Sequence, residues 1–303
     1  MLILIVCLLT GSSVPATDSL ENKSFASFGQ SYNIYAPPVP EKLSFAGEYV
    51  PLNKTYVRES YDREVLVNTY WQSQTLLLLK RANRYFPVIE PILKAHKIPE
   101  DFKYLALCES GFMSRAVSSM GAAGIWQFMK GAAQDYGLEV SNEIDERYHI
   151  EKATEAACKY LNRAYAKYGS WTLAAAAYNA GSAGIDRQLA IQKVKNYYDL
   201  LLGEETGRYV FRILALKQIV SMPSEHGFHV APPDLYPPIP FREVEVNGAI
   251  KNFTDFAQEY GITYRELKDL NPWLRDTCLT NSSKKSYFIK IPEQSAFTVK
   301  GSE

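Results

Sequence analysis

Residue 109 is a glutamate that ends a run of largely apolar residues, Tyr104-Leu105-Ala106-Leu107-Cys108, and Ser110-Gly111-Phe112 follow at once. Further along lie Ala116, Ser118, Gly121, Ala122 and Gly124, then Ile125-Trp126-Gln127-Phe128-Met129. A carboxylate set among Leu, Phe and Trp loses hydration, which disfavours its charged form and raises its pKa. An acid kept protonated near neutral pH can donate to a leaving oxygen. Residue type alone favours a plainer outcome, a helix-end carboxylate bonded to local backbone. A second acid is not evident in the pattern. Asp101 stands eight residues back, about 12 Å along a helix at 1.5 Å per residue, where acids usually cap or face the helix dipole. Asp135 follows the loop, at a distance from Glu109 that spacing does not define.

The wider pattern changes the odds for Glu109. The stretch Glu109-Ser110-x-Phe112-x-x-x-Ala116-x-Ser118-x-x-Gly121-Ala122-x-Gly124-x-Trp126-Gln127-Phe128-Met129 resembles the signature of lytic transglycosylases with a goose-type-lysozyme-like domain. Ala177-Tyr178-Asn179-Ala180-Gly181 is similar to a second motif of that family, and Glu205-Thr206-Gly207-Arg208-Tyr209-Val210 to a helix of its membrane-bound murein transglycosylase D group. The resemblance covers about residues 58–222, with three motifs in family order. It implies a mainly α, lysozyme-like domain in which Glu109 is the sole acid and base. Glu109 would protonate the oxygen between N-acetylmuramic acid and N-acetylglucosamine, then take the proton of the muramyl 6-hydroxyl as a 1,6-anhydro end closes. Ser118 would bond the acid or the muramyl N-acetyl group. Gln127, Tyr178 and Asn179 would line the sugar cleft, and Tyr209 would aim its hydroxyl at the catalytic carboxyl. No metal or other cofactor is implied.

Each supporting residue also has a plainer reading. Trp126 and Phe128 are as much core candidates as cleft walls, Gly121 and Gly124 suit turns with positive φ, Tyr178 and Asn179 could end a helix, and Tyr209 could be a packing tyrosine.

These side chains need helices to hold them. From Arg58 the pattern is helical, and Pro87 and Pro91 are expected near the start of a new helix that Lys97-Ile98-Pro99 ends. A short helix is expected over 100–108, and a Gly, Ser and Ala-rich loop over 111–124. Ala153, Ala156, Ala157, Tyr160, Leu161, Ala164 and Tyr165 recur at three-to-four spacing, the mark of an amphipathic helix. An Ala-rich helix spans 171–178 and another amphipathic one 204–220, ended by Met222-Pro223.

Composition then shifts. Residues 223–240, ending Ala231-Pro232-Pro233-Asp234-Leu235-Tyr236-Pro237-Pro238-Ile239-Pro240, read as a stiff linker. Residues 241–295 follow as strand, helix, helix, strand. Phe256-Ala257-x-Glu259-Tyr260-Gly261-Ile262-Thr263 and Leu270-Asn271-Pro272 resemble the middle of a LysM-type sugar-binding module, and 287–292 its closing strand. Its usual Gly-Asp-Thr-Leu turn is replaced by Asn247-Gly248-Ala249-Ile250-Lys251-Asn252-Phe253, which leaves glycan binding there open.

At the other end, Met1 to Leu9 is apolar and small residues follow to Val14-Pro15-Ala16, so residues 1–16 are expected to be a signal peptide. Residues 17–57 read as a poorly ordered lead-in. Export leaves Cys108, Cys158 and Cys278, an odd number without metal-site spacing, expected as free thiols. Lys+Arg 33 balances Asp+Glu 33, so the basic excess of a nucleic-acid binder is missing. Apolar residues at 47% suffice for a core. His226 and His229 are expected to be exposed rather than metal ligands.

The resemblance thus implies an exported, periplasmic lytic transglycosylase of cell-wall turnover, acting on peptidoglycan glycan strands and associated with the outer membrane or wall, with other envelope proteins as partners. Two alternatives stay open: a water-using muramidase on the same scaffold, and a catalytically silent wall-binding protein.

Overall fold

The computed structural model describes residues 34–293 and 296–297; the expected signal peptide lies outside them. The fold is mainly α with two small antiparallel sheets. In chain order the elements are β1 (Ser44–Phe45), β2 (Glu48–Tyr49), α1 (Thr55–Tyr70), α2 (Gln72–Ala95), α3 (Phe102–Ser110), α4 (Lys130–Asp135), α5 (Ile150–Tyr168), α6 (Trp171–Ala180), α7 (Ser182–Gln192), α8 (Glu204–Ser221), β3 (Phe241–Val246), α9 (Phe253–Glu259), α10 (Tyr264–Leu270) and β4 (Tyr287–Pro292). None of the described helices is long and apolar enough to cross a membrane.

The main core gathers one stripe from each long helix. Val57, Tyr61 and Val65 of α1 meet Ile213, Leu214 and Leu216 of α8, and Ala175, Ala176 and Ala177 of α6 fill the space beside α5 and α8. Four successive alanines from Ala174 to Ala177 are fully buried. Their small side chains let α5, α7 and α8 all approach α6, the helix that carries Tyr178 and Asn179.

The segment expected to be poorly ordered is instead a keystone where it is described. Phe45 is fully buried, edge-on to Phe102 at 5.2 Å, and Phe102 in turn meets Trp171 at 5.3 Å. The Glu48 carboxylate caps α6: it accepts Thr172 N–H at 2.9 Å and Ser170 Oγ–H at 3.0 Å, and also takes Trp171 N–H. Asp101 does not cap α3 through its side chain; it accepts Ala46 N–H at 2.6 Å and pairs with Lys217 of α8 at 2.7 Å. A two-residue strand has too little local pattern to be seen in sequence, and its order comes from these distant partners.

Pro87 and Pro91 do not open a helix. They lie inside α2, which runs on through them. Each removes one i→i−4 hydrogen bond, while the stripe Leu78, Leu79, Ala82, Ile89 and Leu93 keeps both halves on the core. His226 is buried, not exposed: the turn that sets Phe228 against Leu79 and Ile219 takes it inside, and burial lowers its pKa. His229 is exposed. Cys108, Cys158 and Cys278 are free thiols.

In the C-terminal module β3 pairs with β4 from Phe241 opposite Pro292 to Val246 opposite Tyr287. Asn252 caps α9 by accepting Thr254 N–H at 2.6 Å, and Thr263 with Glu266 forms a capping box on α10. Buried Asn271 ties α10 to β4 through Lys290 N–H at 2.8 Å and Lys290 C=O at 2.7 Å. The module is not isolated by its linker. Ala123, Ile144 and Tyr148 of the helical domain share one core with Phe253, Leu267, Trp273 and Leu274.

Candidate active site

Glu109 is the next-to-last residue of α3. The helix stops because Gly111 takes the left-handed conformation (φ +56°) and its N–H returns to Leu107 C=O at 2.8 Å. A Cβ on Gly111 would stand 3.1 Å from Leu78 Cδ2 and 3.3 Å from Gln74 Nε2, so α2 packs where a side chain would go. Buried Ser110 then fixes the turn. Its hydroxyl bridges to Ile125 C=O at 3.0 Å and accepts Phe112 N–H at 3.1 Å. The helix end and the loop that follows are therefore held as one piece beside the carboxyl.

The carboxyl itself is half-buried and surrounded by protein. Desolvation pushes its pKa up from 4.5 to about 7. The Tyr209 hydroxyl donates to Glu109 Oε1 and works against that rise by favouring the anion. The Glu205 carboxylate raises it further and the Arg212 guanidinium lowers it. Tyr209 is buried and its own pKa is pushed well above 10, chiefly by desolvation and then by Glu109, so it is a donor at any physiological pH. The neighbouring Cys108 thiol rises to about 12 through burial and is inert.

Helix α8 supplies three of these influences from one face, because Glu205, Tyr209 and Arg212 fall at helical spacing. The helix is also pinned to α1: Arg208 Nε lies 2.6 Å from Glu64 Oε1 and Arg212 Nε 3.6 Å from Glu64 Oε2, with Glu64 almost fully buried. Asn179 closes the gap between helix ends. Its Oδ1 accepts Thr206 Oγ1–H at 2.8 Å, and its Nδ2 faces Glu205 Oε1 at 3.4 Å.

Tyr178 is pinned by its hydroxyl, which donates to Trp126 C=O at 2.7 Å, and by edge-on contacts to Phe128 and Tyr160. Glu109 is among the charges that raise the Tyr178 pKa. Gln127 has a left-handed backbone (φ +49°) and its amide reaches Gly124 C=O at 2.7 Å. Phe112 is also left-handed (φ +54°). Non-glycine residues in that region cost about 1–3 kcal/mol each and tend to mark sites held by surrounding structure. The Ser118 Oγ accepts Ala122 N–H at 3.0 Å and so closes the 118–122 turn.

Trp126 is core: fully buried, with Nε1–H donating to Thr154 Oγ1 at 2.8 Å. Phe128 is core as well, whereas Met129 is exposed. Asp101 is engaged with Ala46 and Lys217. Among the described residues no group of three or more His, Cys, Asp or Glu could hold a metal ion. Three residues were not singled out from sequence: Glu205 and Arg212, whose charges act on Glu109, and Glu64, which pairs with Arg212. Helical spacing from Tyr209 could have found the first two. Glu64 lies on α1, 144 residues from Arg208, with nothing local to mark it.

One desolvated carboxyl with a tyrosine donor thus lies in the helical domain where α3 and α6 pack on α8. Residues 87–201 match the family described as the transglycosylase SLT domain, and residues 242–295 match the soluble lytic transglycosylase C-terminal LysM-like domain. The chain thus carries an SLT transglycosylase domain followed by a LysM-like domain. It is 26% identical over 245 residues to the membrane-bound lytic murein transglycosylase D of Escherichia coli K12, covering 79% of this chain and 52% of that one. The chain therefore spans about half the length of the curated relatives it matches. Among solved structures it is similar to the 70 kDa soluble lytic transglycosylase of E. coli, at 19% identity and TM-score 0.42 over 54% of this chain and 30% of that one. It is also similar to an inactive mutant of lytic transglycosylase Slt from Pseudomonas aeruginosa, at 21% identity and TM-score 0.39 over 50% and 26% of the two chains.

Proposed function

We propose that this protein is a peptidoglycan lytic transglycosylase that cleaves the bond between N-acetylmuramic acid and N-acetylglucosamine without water, with Glu109 as its only acid and base. The observation that carries this reading is the Glu109 carboxyl, raised to about 7 by desolvation and held by the Tyr209 hydroxyl, inside a matched SLT domain.

At neutral pH such a carboxyl populates both protonation states, as one group needs in order to give a proton and then take one. In the first step Glu109 protonates the bridging oxygen, the anomeric C–O bond breaks, and the N-acetylglucosamine end leaves as an alcohol. Positive charge grows at the muramyl anomeric carbon. In the second step the carboxylate takes the proton of the muramyl 6-hydroxyl while that oxygen bonds to the anomeric carbon. The carboxyl is restored and a 1,6-anhydro end remains. Tyr209 favours the carboxylate between the two steps, and Tyr178, Asn179 and Gln127 border the place where the sugars lie. Ser118 lies in the same loop as Gln127, with its hydroxyl accepting Ala122 N–H, and would bond the acid or the muramyl N-acetyl group.

Glycosidases that use two flanking carboxyls either hold a second acid as nucleophile or have it activate water. The carboxylate whose charge raises the Glu109 pKa is Glu205, itself engaged with Asn179. That supports the one-carboxyl route over the hydrolytic one. A peptidoglycan substrate would put the protein in the cell envelope, and on this reading the chain is exported to the periplasm and associates with the outer membrane or wall.

The test is the mass of fragments released from purified sacculi by the full chain. Anhydro ends, one water lighter than reducing ends, are expected. Reducing ends would make the protein a muramidase, and sacculus binding without any release would make it a wall-binding protein.

A further inference from the structure

The LysM-like module is joined to the helical domain along a continuous seam. Backbone pairs cross it: Asp145 N–H donates to Trp273 C=O at 2.9 Å and Arg275 N–H to Glu143 C=O at 2.7 Å, while Ile144 bridges Leu274. The Glu143 carboxylate accepts Thr280 N–H at 2.8 Å and its hydroxyl at 3.1 Å. The Arg275 guanidinium lies 4.3 Å over the Tyr148 ring, and buried Lys290 of β4 pairs with Glu151 of α5. A flexibly tethered sugar-binding module would not need a shared core of this kind, and it would leave the segment 139–151 with the helical domain alone.

What the seam grips leads directly to the site. Asp145 bonds Trp273 with its backbone and holds Arg147 with its carboxylate, at 2.7 and 2.9 Å. Arg147 is nearly buried and donates to Gly121 C=O at 2.9 Å and Phe128 C=O at 3.2 Å. Those two carbonyls stand at either end of the turn that carries Gly124 and Gln127. Ala123, in the same turn, packs into the seam core, and its backbone is paired with Phe128 in both directions. Arg115, earlier in the loop, reaches the module itself, donating to Lys268 C=O at 2.7 Å and Asp269 Oδ1 at 2.9 Å. The loop then meets the site through Ile125 C=O on Ser110 and Trp126 C=O on Tyr178.

We propose that the LysM-like module is a brace for the 113–128 loop, with Asp145 and Arg147 as positioning residues that carry its hold from Trp273 and Leu274 to Gln127, Tyr178 and the Glu109 turn. Its contribution to catalysis is to keep that loop in one conformation. Only the turnover part of this inference rests on the transglycosylase reading.

The experiment compares the full chain with Leu274→Ala, which opens the seam core, and with the milder Arg275→Ala/Lys290→Met pair, which removes two side-chain contacts across it and should leave both parts folded. Amide hydrogen exchange and turnover on purified sacculi are measured together. The brace predicts that amides of Ala123, Gln127 and Phe128 exchange at least tenfold faster in Leu274→Ala, while those of the α5 and α8 cores keep their rates. It predicts turnover at least fivefold lower with KM within twofold, and the same signs at smaller size in the milder pair, which decides the matter should Leu274→Ala not fold. Faster exchange at Asp145 and Arg275 with an unchanged 121–128 loop and unchanged turnover would overturn it, as would unchanged exchange on both sides of the seam in both variants. The product chemistry of the parent is scored separately. A parent yielding reducing ends removes the transglycosylase reading and leaves the exchange result standing.

Discussion

The Tyr209 hydroxyl meets the Glu109 carboxyl across 100 residues of chain, inside the packing of α8 against α3. It is the larger of two influences that favour the charged form of this carboxyl, the other being the Arg212 guanidinium. Desolvation and Glu205 push the carboxyl toward its neutral form, and Tyr209 and Arg212 toward the anion, with a balance near 7. Tyr209, Glu205 and Arg212 can each be removed singly, and each response should be opposite in sign to the influence removed.

The profile of kcat/KM against pH should have an alkaline limb near pH 7, where Glu109 loses its proton. Tyr209→Phe removes a donor that favours the anion, so the limb should move to higher pH, and turnover should fall by roughly ten- to a hundredfold, the usual worth of a hydrogen bond to a charge. Glu205→Gln removes a like charge, and the limb should move to lower pH. Movement of both limbs in one direction would refute this account of the carboxyl.

Glu109→Gln should abolish fragment release and yet stabilise the protein at alkaline pH. The folded pKa is raised from 4.5 to about 7, so between those values the folded chain binds more protons than the unfolded one, and stability falls as pH rises through that window. The cost is absent below about pH 4 and complete above about pH 8, at most about 3–4 kcal/mol at ~1.4 kcal/mol per pKa unit. Urea unfolding at both ends of the range should show wild type and variant alike in acid, with the variant ahead in alkali.

Removing the cap from the start of α6 should be felt at its far end. Glu48→Ala leaves Trp171 N–H, Thr172 N–H and the Ser170 and Thr172 hydroxyls without their shared acceptor. A lost cap costs about 0.5–2 kcal/mol and an orphaned buried donor about 1–3 kcal/mol, so a loss of roughly 2–4 kcal/mol in urea unfolding is expected. Since α6 carries Tyr178 and Asn179, turnover should drop as well, although Glu48 belongs to the hairpin far from the site in sequence. Stability within ~0.5 kcal/mol of the parent would show that the hairpin is not the keystone described here.

Sequence was informative where chemistry or periodicity is local. Glu109 among apolar neighbours and the three-to-four spacing along α5 each declare themselves within a few residues. Asn252 and Thr263 also mark the starts of α9 and α10 in plain view. What stayed hidden depends on partners distant in the chain. The Ser44–Tyr49 hairpin is ordered by Phe102, Asp101 and the N-terminus of α6, and Glu64 matters only through α8. The prolines of α2 misled because their local cost is outweighed by a stripe of buried residues on both sides. Trp126 could face core or cleft on pattern alone; its indole settles inward because Thr154 offers the acceptor.

The same distance between pattern and consequence appears in two glycines of the active-site loop. Gly121 and Gly124 both take positive φ, +83° and +76°, so any side chain at either is strained by roughly 1–2 kcal/mol. They differ in surroundings. A Cβ on Gly121 would meet nothing within 4 Å, whereas one on Gly124 would lie 2.7 Å from the Arg147 carbonyl carbon and collide with its oxygen. That backbone cannot retreat freely, because Arg147 is held by Asp145 and reaches Phe128 on the far side of the turn. Gly121→Ala should therefore lose only the conformational ~1–2 kcal/mol and retain most turnover. Gly124→Ala should lose about 3 kcal/mol or more by adding overpacking to that strain, and its turnover should fall at least tenfold as Gln127 is displaced. Equal losses in the two variants, measured by urea unfolding and sacculus digestion, would mean that the close approach of Arg147 to this turn does not shape the site.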